Sequence, residues 1–301
     1  QVAAEGNTFS LEGKTFVYGA EYEIVETAPE GYNGVGSFKV TLKADGSGLE
    51  LVGSNANVTI DDFTITVKNE PKSYTLTVKH QYEDGTEVTA DTSTDKKYLE
   101  EYSASALTGS PLNAGYTYKS STIEALGSTT QGSSTVSGTM PAGNVTITFI
   151  YAPRTDISYT VEHYYEGADR PFDVDEFNNQ TFGSVISAVA DSDQLENGYE
   201  RSRTENLPLT IGAVSENNVI KVYYKASPYN LTVNHVFDGG PKDNEDVYGT
   251  PVSTAYKSEV NAAAKSGAEI AGYEITGVTV TEGSGLAVAG DKSAVTGTMP
   301  A

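Results

Sequence analysis

The chain has no cysteine and no tryptophan. No disulfide can staple it, and no thiolate is available to attack a substrate or to hold a metal. Basic residues are also scarce: 19 Lys and Arg stand against 41 Asp and Glu, a formal charge of −22. Such a field repels phosphate backbones and anionic headgroups, which argues against nucleic acid and direct membrane binding. The acidic excess is spread along the whole chain, so it promotes solubility without marking one binding patch. No apolar run approaches the roughly 18–20 residues that span a bilayer, and the N-terminus lacks the basic start and apolar core of a signal peptide. An export signal or wall anchor is expected outside these residues. Helical text is sparse too. Its best stretch, Glu259 to Lys265 ending near Gly267, predicts a helix of about two turns.

What the sequence does carry is strand text. Tyr74–Val78, Val145–Tyr151 and Val219–Tyr224 are rich in β-branched and aromatic residues, and Gly, Pro, Asn or Asp punctuate their ends. Three segments open alike, at Tyr74-Thr75-Leu76-Thr77-Val78-Lys79-His80, Tyr159-Thr160-Val161-Glu162-His163 and Tyr229-Asn230-Leu231-Thr232-Val233-Asn234-His235. All three histidines of the chain fall at one repeat position. A Gly-Tyr pair follows each opening, at 115–116, 198–199 and 272–273. Units of this size laid end to end are tandem modules. The predicted fold class is mainly β, in four pieces: 1–71, 73–152, 158–226 and 228–301. The last unit ends on Val295–Ala301, which matches Val136–Ala142, and lacks the apolar strand that follows in the first repeat. It is expected to be C-terminally truncated and locally frayed. Short Pro-bearing linkers at 71–73, 153–156 and 226–228 predict a stiff monomeric rod.

The candidate chemistry is thin. Leu76, Val78, His80 and Tyr82 share a strand face, as do Val233, His235 and Phe237. Each histidine is therefore expected at a core edge, with no second His or Cys to complete a metal cluster. Asp173-Val174-Asp175-Glu176 and Asp191-Ser192-Asp193 lack EF-hand spacing and are expected to be solvated acidic loops that hold no Ca²⁺. Most tyrosines belong to strand packing, with Tyr164 and Tyr118 the candidates for exposure. No Ser sits in Gly-x-Ser-x-Gly context, and three equivalent histidines assemble no triad. A glycosidase pair among 41 acids stays open on sequence, although repetition argues against it. The chain is expected not to be an enzyme and to need no cofactor.

The opening at 159–165, the Gly198-Tyr199 pair and the closing run Asn218–Tyr224 resemble the MucBP (mucin-binding protein) repeats of Gram-positive surface proteins, and the resemblance covers residues 73–301. It implies ubiquitin-like β-grasp modules in an extracellular, cell-wall-attached adhesin, with mucin-like host glycoprotein or glycan, or cell-wall neighbours, as partner. It marks no ligand-binding residue. The alternatives are a structural spacer projecting a distal binding domain, or the non-catalytic arm of a surface enzyme.

Residues 1–71 are similar to a second family, the Cna B-type or SpaA-like domains of collagen-binding and pilin proteins, on Tyr22–Tyr32 and Phe63–Asn69. That resemblance implies a partial prealbumin-like β-sandwich. It also implies an isopeptide bond in which Glu26 promotes attack of a first-strand lysine on Asn69. A buried carboxyl can shuttle the proton as a desolvated amine attacks a carboxamide. The lysine partner is absent from the expected place, since the first lysine is Lys14. The parent protein is expected to form the bond and these 301 residues are not.

Overall fold

The computed structural model describes residues 7–10, 15–243, 247–281 and 285–301. The chain divides into two compact units, Gln1–Pro153 and Arg154–Ala301. Both are built of short strands in small sheets, and the described helical residues form only 3-10 turns.

In the first unit, two three-stranded sheets enclose a core of Val40, Leu49, Ile65 and Val67. One sheet holds Glu21–Val25, Ser37–Leu42 and Leu49–Val52. The other holds Asn7–Ser10, Thr64–Val67 and Val58–Asp61. Alternating burial along Ser37–Leu42 and Thr64–Val67 is the period-two pattern of strands covered on one face. A five-stranded sheet follows, in the order Glu87–Lys97, Ser73–Tyr82, Val145–Pro153, Tyr116–Ala125, Ser128–Gly132.

The second unit repeats that order with Asp173–Gln180, Ile157–Tyr165, Val219–Ala226 and Tyr199–Glu205. In both sheets the opening and closing strands lie side by side and parallel, flanked by antiparallel neighbours. This is the sheet arrangement of a β-grasp. Among the described residues, small strand pairs stand where an α-helix would cross: Glu101–Ser105 with Thr135–Thr139, and Val185–Ile186 with Leu209–Thr210. The closing strands are the centre of each core. Ile147, Phe149, Tyr151, Ile220, Val222 and Tyr224 are all fully buried, each contributing roughly 1.5–3 kcal/mol by transfer from water.

Residues 228–301 form a thinner structure. Pro228–Leu231 pairs with Val252–Ala255, and Glu259–Ala263 with Ala294–Thr298, which also takes Leu286–Val288. The helix expected at 259–265 is thus a strand. Val260 points inward and its neighbours outward, and an isolated two-turn helix is marginal in water whereas a ladder to Ala294–Thr298 is available. The expected linkers also shrink. Glu70–Pro71 and Ser73–Tyr82 are separated by Lys72 alone, and Val219–Ala226 and Pro228–Leu231 by Ser227 alone.

Candidate functional site

Each complete repeat is latched by one tyrosine of its closing strand. In the first, Tyr151 Oη accepts the Leu107 N–H at 2.7 Å and lies 2.8 Å from His80 Nδ1. In the second, Tyr224 Oη accepts the Ser192 N–H at 3.1 Å and lies 2.8 Å from His163 Nδ1. A hydroxyl that accepts from a backbone amide has its own proton to give to the imidazole, which places the ring proton on Nε2. In the second repeat, Asp175 Oδ2 accepts there at 3.1 Å. Burial lowers the His80 pKa, with Asp91 acting weakly the other way, and the ring stacks on Phe149 at 5.2 Å. Both histidines are core groups.

Asp191-Ser192-Asp193 lies outside the strands with both aspartates exposed, whereas the other acidic segment is not a loop. Asp173 and Asp175 lie on the strand Asp173–Gln180, and Asp173 is the cross-strand partner of His163. One ligand-type atom from each of His163, Asp173 and Asp175 lies within 4.8 Å of the others. Sequence reasoning missed this grouping because it sought a second imidazole, while the carboxylates come from the facing strand. The polar atoms already have partners: the Ser192 hydroxyl donates to Asp173, and Asp191 pairs with Arg201 at 2.7 Å.

Tyr164, expected to be exposed, is buried. The second sheet face is covered by its own side chains: Tyr223 stacks on Tyr164 at 5.3 Å, and the Tyr164 hydroxyl donates to Glu162 at 2.7 Å. That hydrogen bond, then burial, pushes its pKa up to about 12. Tyr118 is half-buried and lines a cleft of about 360 Å³ with Leu107, Leu112, Tyr116, Ser134 and Thr135. Two tyrosine rings among hydroxyls and backbone amides suit a small polar ligand with apolar faces.

Glu26 follows the strand Glu21–Val25, and its Oε2 accepts the Val35 N–H at 2.8 Å. Asn69 is buried between the paired Thr64–Val67 and Glu70–Pro71, and Glu70 faces Asn33. Glu26 and the residue after Asn69 thus both meet the segment 33–35. The Asn69 side-chain oxygen and nitrogen have no hydrogen-bond partner among the described residues. Lys14 lies outside the described residues, and the described first strand, Asn7–Ser10, carries no lysine.

A feature without a counterpart in the sequence reading joins neighbouring segments. Gly31 adopts φ +82°, and a Cβ there would sit 2.5 Å from the Tyr98 ring, which meets Tyr32 edge-on at 5.4 Å. The Lys72 N–H donates to Gly31 O, and the Tyr98 N–H to Lys72 O, each at 2.8 Å. The same construction recurs at Gly198 (φ +93°), where a Cβ would sit 2.6 Å from the Tyr256 ring, itself edge-on to Tyr199 at 5.4 Å. There the Ser227 N–H donates to Gly198 O and the Tyr256 N–H to Ser227 O. The Gly-Tyr corners at 31 and 198 are seats for an aromatic ring, whereas a Cβ at Gly272 would meet nothing within 4 Å. The ring could have been found from its own recurrence about 25 residues into each repeat, as Tyr98, Phe182 and Tyr256.

Small β modules in series, together with the family match that follows, support a cell-surface protein of adhesin type. Comparison with known proteins agrees: residues 75–152 match the family model of the MucBP domain. No curated protein matches the chain. Among solved structures it is similar to Streptococcal High Identity Repeats in Tandem (SHIRT) domains 3-4 from a cell surface protein. That likeness is 14% identical and covers 52% of this chain and 99% of the other, at a TM-score of 0.24. No helix among the described residues is long and apolar enough to cross a membrane.

Proposed function

We propose that the chain is a segment of a cell-wall-attached adhesin in which residues 73–152 meet a mucin-like glycoprotein and the other modules carry that repeat outward. The observation behind this reading is the Tyr116–Tyr118 cleft, which lies within the residues that match the MucBP model. Tyrosine faces and hydroxyls are the groups with which proteins hold sugar rings. The test is a mucin O-glycan array probed with the whole chain and with Tyr118→Ala. Binding that falls about ten-fold or more in the variant, with the thermal midpoint retained, supports the reading. Equal binding by both removes the cleft, and no binding by either leaves a spacer.

The spacer reading has its own support in the junctions at Gly31–Tyr98 and Gly198–Tyr256. Two junctions of one construction couple neighbours as a projecting arm requires. For residues 1–71 we propose a second chemistry, that of the parent protein: Asn69, a buried carboxamide with no partner among the described residues, is the acceptor that a first-strand lysine amine would attack, releasing ammonia, with Glu26 shuttling the proton. The described first strand carries no lysine, and these 301 residues are expected not to form the bond, so a loss of one ammonia, about 17 Da, from their intact mass would overturn that expectation.

A further inference from the structure

The Tyr116–Tyr118 cleft has a counterpart position in the other complete repeat, and the two places are built differently. Tyr116 and Tyr199 each follow the glycine of a Gly-Tyr pair and begin the antiparallel neighbour of the closing strand. Two residues further on, Tyr118 stands opposite Tyr151, and Arg201 stands opposite Tyr224. The tyrosine latch fixes the facing wall in both repeats. Tyr151 Oη accepts from the Leu107 N–H and Tyr224 Oη from the Ser192 N–H, so Leu107 corresponds to Ser192 and Ala106 to Asp191.

In the second repeat charge ties the two walls together. Arg201 Nε donates to Asp191 at 2.7 Å and its Nη2 to Val189 O at 3.0 Å. In the first repeat Tyr118 and Ala106 stand at those two places, where no ion pair can form, and both line the open cleft of about 360 Å³. None of the ten residues that line it is charged, although charged residues make up 20% of the chain. The Ser105 and Thr135 hydroxyls lie 3.3 Å apart at its exposed rim. Lys119, the nearest cation in sequence, pairs with Glu83.

We infer that the cleft takes an uncharged sugar residue and rejects sialylated or sulfated ones, with Tyr118 as the residue that sets this choice. The inference rests on the cleft reading above and narrows its ligand. A neutral sugar lays a C–H face on an aromatic ring and exchanges hydrogen bonds with hydroxyls such as those of Ser105 and Thr135. A carboxylate or sulfate entering the same cleft loses water and meets no cation among the lining residues, and the acidic chain around it adds repulsion. The second repeat holds a guanidinium and a carboxylate where the first presents its tyrosine.

Titration of the whole chain with matched mucin-type O-glycans tests this, each core being presented in a neutral form and in a sialylated or sulfated form. The neutral form should bind about ten-fold or more tightly than its anionic counterpart, and sialidase treatment of mucin should increase capture. Thr135→Lys, at the exposed rim, should shrink that difference by supplying a partner for the anion. Ala106→Asp with Tyr118→Arg copies the second repeat and should abolish binding of both forms with the thermal midpoint retained. Should that double variant melt early, Thr135→Lys decides alone, and an unchanged ratio of the two affinities overturns the selection. Equal or tighter binding of the anionic form, lost in Tyr118→Ala, would overturn the selection and leave the cleft as the binding site. Neutral-glycan binding that survives Tyr118→Ala, or no binding of either form, would overturn the cleft reading and this inference together.

Discussion

His80 is the residue on which solution conditions act most directly. Its neutral ring accepts from Tyr151 on Nδ1 inside the repeat core. Protonation would bring a charge into that core and turn the accepting nitrogen into a donor. Burial lowers the His80 pKa, so the folded state binds fewer protons than the unfolded chain as pH falls. Its contribution to stability is complete above the ordinary imidazole value of about 6.5 and is lost below it. The thermal midpoint of residues 73–152 should therefore drop as pH falls below about 6.5, and an NMR titration should find the His80 midpoint below that of free imidazole. Tyr164 acts at the other extreme. With its pKa raised to about 12, the folded state keeps a proton that the unfolded chain releases near 10. Stability should fall as pH rises from about 10 to 12, with the Tyr164 phenolate absorbance appearing only at the top of that range. Asn69 offers a third test. In a chain whose mass shows no loss of ammonia, Asn69→Leu should leave the thermal midpoint unchanged or raise it, because it removes a buried amide with no partner among the described residues.

At the scale of elements, the closing strands decide whether a repeat exists. Phe149 is fully buried between His80 and Tyr118, and Phe149→Ala should cost about 3–5 kcal/mol in chemical denaturation. The alternation in Val145–Tyr151 and Val219–Tyr224 makes these strands legible in the sequence, because every second side chain enters a core. Glu259–Ala263 is misleading for the opposite reason. Its alanines favour a helix locally, and only the distant partner Ala294–Thr298 makes it a strand. Tyr164 misleads because its face of the sheet is covered by another tyrosine, and period-two reasoning says which face a side chain takes and nothing about what covers that face. The carboxylates beside His163 are invisible for a related reason: strand pairing brings Asp173 opposite a histidine ten residues away, and no local pattern records the register.

For the molecule as a whole, the repeated heads and the Gly-Tyr marks were enough to identify tandem β modules, while the use of those marks was not legible. A glycine before a tyrosine suggests a turn. That the turn seats an aromatic ring from the adjoining segment appears only in three dimensions, at Gly31 with Tyr98 and at Gly198 with Tyr256. Alanine at Gly198 would have to hold φ +93° and displace the Tyr256 ring, so Gly198→Ala should destabilise both adjoining segments by at least about 1 kcal/mol. The spacer reading proposes that these seats couple neighbouring segments, and calorimetry of Tyr256→Ala measures that coupling most directly. The account predicts that residues 158–226 melt at a lower temperature in the variant and separately from residues 228–301, although Tyr256 belongs to neither the core nor the closing strand of that repeat. An unchanged midpoint for residues 158–226 would contradict it.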